Sequence, residues 1–268
     1  MKKYIFNIKK EVKNLIIRRL SVSDFYNYLN SKWTKNNIHI YIACLPKSGS
    51  TFIANALVNI TNFDFVQFQP LRGTNDHNIN LDLFLTNLNR NTITQLHTKP
   101  NEHNALIFKK YELKVIFLNR GILDSITSFH SHVLNESDQW FMFTNTEKYR
   151  EWEIEKQFDF LIDLVIPWYI NFLVSWKKVI KEGGIKVLEV DFDDFKQNNT
   201  KVINDILNFY GLHGFCNVID KGLKNSYSNK EKLRYNSSNS KISYSFSVLQ
   251  IERIKIFLSY YPEFDIKL

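Results

Sequence analysis

The sequence predicts an α/β fold: a central parallel sheet flanked by helices on both faces, in a single domain. Short apolar runs recur at residues 40–45, 114–118 and 185–190 without the polar alternation of a half-exposed strand, as expected of parallel strands buried on both faces. Each run is followed by apolar residues at helical spacing, so strands and helices alternate in the order that a parallel sheet requires. With 268 residues the chain fits one such domain, burying roughly 70–75% of its unfolded surface without needing a disulfide or a metal.

Taken in order, residues 1–35 form a basic amphipathic segment in which Lys2, Lys3, Lys9, Lys10, Lys13, Arg18 and Arg19 interleave with Ile5, Ile8, Val12, Leu15 and Ile16. A helix lying on the body of the protein is the expectation, with peripheral membrane contact as the alternative. No apolar run there is long enough for a secretory signal or a transmembrane segment, so a cytoplasmic location is expected. Two cysteines, Cys44 and Cys216, make no disulfide framework or metal-spaced set. The net charge of +8 and pI near 9.2 suit an anionic ligand but do not distinguish a nucleotide from nucleic acid or an acidic glycan.

Residues 36–268 are the domain proper. Its first strand, residues 40–45, ends at Pro46, and Phe52, Ile53, Ala56, Leu57 and Ile60 then return at helical spacing. Lys47, Ser48, Gly49, Ser50 and Thr51 fill the turn between. Gly49 permits close backbone approach to a ligand, the hydroxyls sit at the first helical turn, and free N–H groups there favour an anion. The loop is P-loop-like, yet the nucleotide P-loop carries its lysine after the glycine and directly before the metal-binding hydroxyl. Here Lys47 precedes Gly49, so a Mg-dependent triphosphate site is not supported and no metal ligands are assigned.

Beyond this, residues 61–91 are polar and asparagine-rich, with a short helix around 81–88. A second strand spans 92–97, a short helix 105–110, and the strand at 114–118 ends at Asn119-Arg120. Arg120 is therefore at the carboxyl end of a strand, the edge where open α/β sheets bind ligands. A helix carrying Ile122, Ile126 and Phe129 follows, with Asp124 and Ser128 four and eight positions after Arg120; by itself the pair Arg120 and Asp124 also reads as a surface ion pair. Trp140, Phe141 and Trp152 mark a candidate substrate lid. Helical spacing from Phe158 to Ile180 carries a kink at Pro167 and a stop at Gly183-Gly184. After the strand at 185–190, Asp193 and Asp194 suit a helix N-terminus. Thr200 to Tyr210 reads as a helix and residues 221–245 as a polar loop with Lys224, Lys230, Lys232, Arg234 and Lys241. Ser247 and Gln250 form a capping box for the last helix.

Pro46-Lys47-Ser48-Gly49-Ser50-Thr51-Phe52 resembles the 5′-phosphosulfate loop of the sulfotransferases, P-K-[ST]-G-[ST]-[ST]-[WF]. Residues 115–132, VIFLNRGILDSITSFHSH, resemble that family's 3′-phosphate segment, with Arg120, Asp124 and Ser128 in its arginine, aspartate and serine positions. Between them, Gln95-Leu96-His97 is similar to the family's histidine segment, and Phe192-Asp193-Asp194 to its aromatic-acid-acid sequence.

The resemblance implies sulfuryl transfer from 3′-phosphoadenosine 5′-phosphosulfate (PAPS) to a hydroxyl on a small molecule, lipid or carbohydrate. His97 would be the base and Lys47 the cation at the bridging oxygen. Ser48, Gly49, Ser50 and Thr51 would hold the 5′ end of the donor, and Arg120 with Ser128 its 3′-phosphate. Phe52 and Phe192 would face the adenine, and Lys241 belongs to the basic region that closes over the nucleotide. No nucleic-acid partner is implied. The chain departs from the family in having phenylalanine for tyrosine at Phe192 and no glycine in 223–245. A P-loop nucleoside or sugar kinase and a non-catalytic polyanion-binding module are the rival readings; Mg-dependent ATP turnover would mark the first, strong salt dependence without 3′-phosphate preference the second.

Overall fold

The structure is a computed structural model that describes residues 37–69, 77–136, 140, 142–143, 147–228 and 244–268. The expected segment 1–35 and Lys241 lie outside the described residues. Residues Ile38–Leu268 form one compact unit.

Five strands, β1 (His39–Cys44), β2 (Asp64–Phe65), β3 (Thr92–Leu96), β4 (Val115–Asn119) and β5 (Val187–Asp191), make one sheet in the order β2-β3-β1-β4-β5. Every pairing is parallel. The expected α/β sheet is therefore present, with β1 at its centre. All six residues of β1 are buried, which explains its unbroken apolar sequence.

Ile40, Ile42 and Cys44 pack with α1 (Ser50–Thr61), α8 (Asn199–Tyr210) and α9 (Ile219–Ser228) on one face. On the other face Tyr41 meets Phe108 of α3 (Glu102–Lys110), and Phe117 of β4 meets Phe172 and Trp176 of α6 (Ile166–Glu182). Both faces of the sheet are thus covered by helices. Among the described residues the remaining α-helices are α2 (Leu81–Leu85), α4 (Ile122–Asn135), α5 (Ile154–Leu164), α7 (Phe192–Gln197) and α10 (Val248–Ser259).

Three expectations change in detail. Pro167 does not kink one helix: α5 and α6 are separate, broken at Val165, and Pro167 sits in the first turn of α6 where its missing N–H costs no bond. The segment Ile154–Glu182 is apolar and long enough to pass for a membrane span by composition, yet its Phe158, Leu161, Ile162, Tyr169, Phe172 and Trp176 are fully buried in this fold. The polar stretch after residue 221 begins as helix, because Leu223 and Gly222 of α9 pack on α1; a Cβ at Gly222 would lie 2.2 Å from Ile60 Cγ1. Two residues in the asparagine-rich stretch, Asp64 and Phe65, add the edge strand β2, pinned by an Arg90–Asp64 ion pair of 2.8 Å. The capping box of α10 is present as expected, with Ser247 and Gln250 bonded reciprocally.

Candidate functional site

The parallel topology sets the carboxyl ends of β3, β1, β4 and β5 side by side, Leu96 in register with Ala43, Cys44 with Leu118 and Asn119 with Asp191. Immediately beyond those ends lie His97, the loop from Leu45 to Gly49, Arg120 and Phe192. Three residues and a loop that the sequence separates widely are therefore collected along one sheet edge.

The loop after β1 turns through two left-handed residues, Lys47 with φ 66° and Gly49 with φ 78°. Ser48 is buried and donates from Oγ to the Leu45 carbonyl at 2.7 Å, closing the turn on itself. Gly49 is the N-cap of α1 and no side chain caps that helix; the Phe52 and Ile53 N–H groups donate to the Gly49 carbonyl at 3.1 and 3.3 Å, and the N–H groups before them have no side-chain cap. The space above the Gly49 Cα is taken by the ring of Phe192: a Cβ there would stand 2.0 Å from Phe192 Cε2. Ser50 is buried beside Cys44, and Thr51 is exposed at the helix start. Phe52 lies in the core, its ring 4.8 Å from that of Tyr227 and 5.8 Å from that of Phe195.

Arg120 is 7% exposed. Its Nη1 donates to the Lys47 carbonyl at 2.7 Å, its Nη2 approaches Asp124 at 3.6 Å, and its guanidinium carbon is 5.1 Å from the centre of the Phe192 ring. The surface ion pair is thus a buried arginine that braces the lysine loop. Its Nε is buried with no hydrogen-bond partner in the described structure, a donor that an anion would satisfy. Ser128 is half-buried on α4. Phe192 begins α7, whose N-cap Asp191 accepts from the Asp193 N–H at 2.6 Å. Lys196 and Lys267 hold the Asp193 carboxyl down to about 2, so this pair of aspartates is the helix-start feature expected of it.

His97 follows the last residue of β3. Its Nδ1–H donates to the Cys44 carbonyl at 2.9 Å, which leaves Nε2 as the lone-pair nitrogen. Burial lowers its pKa to about 4 against the pull of that hydrogen bond, with His132 and Lys47 adding repulsion, so the ring is neutral at neutral pH. Thr98, next in sequence, is fixed by Tyr41 Oη at 2.6 Å and, through its carbonyl, by Trp176 Nε1 at 2.9 Å. Cys44 Sγ lies 3.5 Å from His97 Nδ1, but burial pushes this thiol up to about 11 and keeps it protonated.

Two further residues enter from α4 and the position after it. Glu136 accepts an ion pair from Lys47 Nζ at 3.5 Å and lies 3.0 Å from His132 Nδ1. The His132 ring packs against Trp140 at 5.3 Å, and Trp140 is 6.1 Å from the His97 ring. Glu136 escaped the sequence reading, although a signal existed: Arg120, Asp124, Ser128, His132 and Glu136 stand four residues apart, the spacing of one helical stripe. Two other histidines in this part of the sequence are otherwise engaged. His130 is fully buried and 2.6 Å from Gln157 Oε1, and His103 Nε2 is 2.9 Å from the Ile79 carbonyl.

The arrangement offers a neutral imidazole, an ammonium and a helix N-terminus at one end, and a buried guanidinium at the other, which fits an extended anionic ligand beside a protic group. A family model described as the sulfotransferase domain matches residues 37–257. Among solved structures the chain is similar to mouse sulfotransferase SULT7A1 complexed with PAP, at 13% identity over 91% of each chain with a TM-score of 0.62. It is also similar to retinol dehydratase in complex with androsterone and the inactive cofactor PAP, at 13% identity over 86% of this chain and 82% of that one, with a TM-score of 0.50. At this identity the two likenesses speak for the fold. No curated protein matches the chain. On the family match over residues 37–257, the chain belongs to the sulfotransferase-domain family.

Proposed function

We propose that the protein transfers a sulfuryl group from PAPS to an acceptor hydroxyl. The observation that carries this is Arg120: a buried guanidinium with an unpartnered Nε, one strand away from an uncapped helix N-terminus, makes a second anion site that a singly phosphorylated nucleotide does not need. Two such sites suit a nucleotide with phosphate at both 3′ and 5′ positions. Ser48, Gly49, Ser50 and Thr51 would hold the 5′ end through the loop and helix N–H groups. Arg120 would hold the 3′-phosphate, with Ser128 on the helix that follows it, α4, as its partner. Because Phe192 packs on Gly49 and beside Arg120, its ring is the aromatic surface between the two sites, whereas Phe52 supports it from the core through Phe195.

The donor supplies an activated sulfuryl group; the chain supplies orientation, charge and a base. With Nδ1–H committed to Cys44, His97 takes the acceptor's proton at Nε2, and the Cys44 carbonyl stabilises the imidazolium that forms. Lys47 exchanges Glu136 for the negative charge that grows on the leaving phosphate. Among the described residues no cluster has metal-ligand geometry.

Calorimetry with adenosine 3′,5′-bisphosphate and with AMP tests the donor site without knowledge of the acceptor. The bisphosphate is expected to bind at least tenfold more tightly, since charge-assisted hydrogen bonds contribute about 1.5–3 kcal/mol each. Equal affinities would remove the 3′-phosphate assignment. Transfer from labelled donor to a panel of phenols, sterols and sugars then tests the chemistry, with His97→Ala expected to lose about 10²–10⁴-fold in rate while still binding the bisphosphate.

A further inference from the structure

His97 is held by more than its own strand. It stands one residue past the register of β3 with β1, and its backbone N–H donates to Nδ1 of His77 at 2.9 Å. The two imidazoles also stack, with centroids 4.9 Å apart and planes at 28°. His97 is therefore fixed at one ring edge by the Cys44 carbonyl, at one face by the His77 ring, and at its main chain by the His77 nitrogen.

The segment that brings His77 there is itself tied to the His97 turn by one side chain. Asn104 on α3 is 0% exposed; its Oδ1 accepts from the Ile79 N–H at 2.9 Å, and its Nδ2 donates to the Lys99 carbonyl at 2.8 Å and to Asn78 Oδ1 at 3.1 Å. Asn101 adds a second donor to Asn78 Oδ1 at 2.7 Å. A buried asparagine that spends all its bonds on these two segments holds the two histidines at a constant separation.

We propose that His77 is a positioning residue for His97, setting the plane in which Nε2 meets the acceptor hydroxyl; this rests on the reading of His97 as the base. The hydrogen bond defines the chemistry. An Nδ1 that accepts from an N–H must carry its lone pair, so His77 is the neutral Nε2–H tautomer. A neutral ring face stacked on His97 also favours the imidazolium formed during transfer, as an aromatic face favours a cation. The residue lies in the asparagine-rich stretch that carries no motif, and only the fold brings it to His97.

The test uses His77→Ala, His77→Asn and His77→Phe in the full chain. Asparagine keeps an acceptor for the His97 N–H, and phenylalanine keeps a ring face. With the best acceptor from the panel, His77→Ala is expected to lower kcat about ten- to a hundredfold, the scale of residues that orient an active group, with bisphosphate affinity unchanged. Asn and Phe should each recover part of the loss. A kcat at the parent value in His77→Ala, or a loss confined to KM, overturns the proposal.

Nitrogen-15 spectra of histidine-labelled protein give a readout independent of turnover. The parent His97 should be a single Nδ1–H tautomer, and His77→Ala should show a mixed tautomer population or a shifted titration. An unchanged His97 spectrum overturns the positioning role even if no acceptor is found. A parent that binds the bisphosphate and transfers to nothing, with His97 nevertheless altered in His77→Ala, counts against the base assignment and leaves the positioning contact standing. Should His77→Ala fail to fold, His77→Asn carries the same comparison, with a smaller kcat loss expected and parent-like kcat and spectrum overturning the proposal.

Discussion

Gly49→Ala measures how tightly the lysine loop and the arginine site are joined. The substitution has two costs. An alanine at φ 78° adopts the left-handed conformation, worth about 1–2 kcal/mol, and its methyl would stand 2.0 Å from the Phe192 ring, so that ring must leave, at about 1–3 kcal/mol for an overpacked contact. The sum is about 2–5 kcal/mol of stability, readable as a shift in the urea midpoint at constant slope. Phe192→Ala removes the obstacle, so in that background Gly49→Ala should cost only the backbone part, about 1–2 kcal/mol, and the cycle should return a coupling of about 1–3 kcal/mol. Because the Arg120 guanidinium rests 5.1 Å from the ring that is displaced, Gly49→Ala should also narrow the preference for bisphosphate over AMP. If Gly49→Ala costs the same with and without Phe192, the ring is not what excludes a side chain there, and the physical link drawn between the two anion sites fails.

The remaining expectations concern charge. His39 and His97 both have pKa values lowered to about 4 from 6.5 by burial, so the unfolded chain takes up protons first; stability is full above pH 6.5 and falls as the pH drops toward 4. For His39 alone the loss is about 2–4 kcal/mol, and a urea midpoint that stays level from pH 7 to pH 4.5 would contradict its neutral burial. Asp193, held down to about 2, weakens the fold only at lower pH and does not blur this window. In kcat/KM, which reports the free enzyme, the acid limb should lie nearer pH 4 than 6.5. Glu136→Gln removes the carboxylate that competes with an anionic ligand for Lys47; bisphosphate affinity should rise about two- to fivefold, the scale of a partly exposed ion pair, and weaker binding would show that Glu136 supports the loop instead.

What could be read from sequence and what could not divide along a physical line. Lys47, His97, Arg120 and Phe192 were legible because each stands at, or within two residues of, the end of an expected strand, in segments that resemble those of the sulfotransferases. His77, Asn104 and Glu136 were not, because their meaning lies in bonds to residues far along the chain and their polar surroundings carry no periodicity. The helix α9 was hidden for a related reason. Its polar composition suggests a loop, while its stability comes from Gly222 and Leu223 meeting α1 and from Asn59 donating to buried Ser226 at 2.7 Å. Asp64 and Phe65 are strand only because β3 is beside them.

The central place of β1 has a consequence for how the chain reaches this state. Among the five strands it is synthesised first, yet both its neighbours, β3 and β4, come later, so its backbone donors and acceptors have no sheet partner while the intervening helices are made. During that interval the uncharged sequence His-Ile-Tyr-Ile-Ala-Cys is an open apolar edge on both sides, the kind of segment that pairs with other chains. Closing the sheet requires long-range parallel contacts, which form slowly. Cys44 reports the moment directly: its thiol should react with a maleimide in stalled nascent chains that end before β4 and become protected once β4 has emerged, and protection in the shorter chains would mean that β1 is shielded by something other than the sheet.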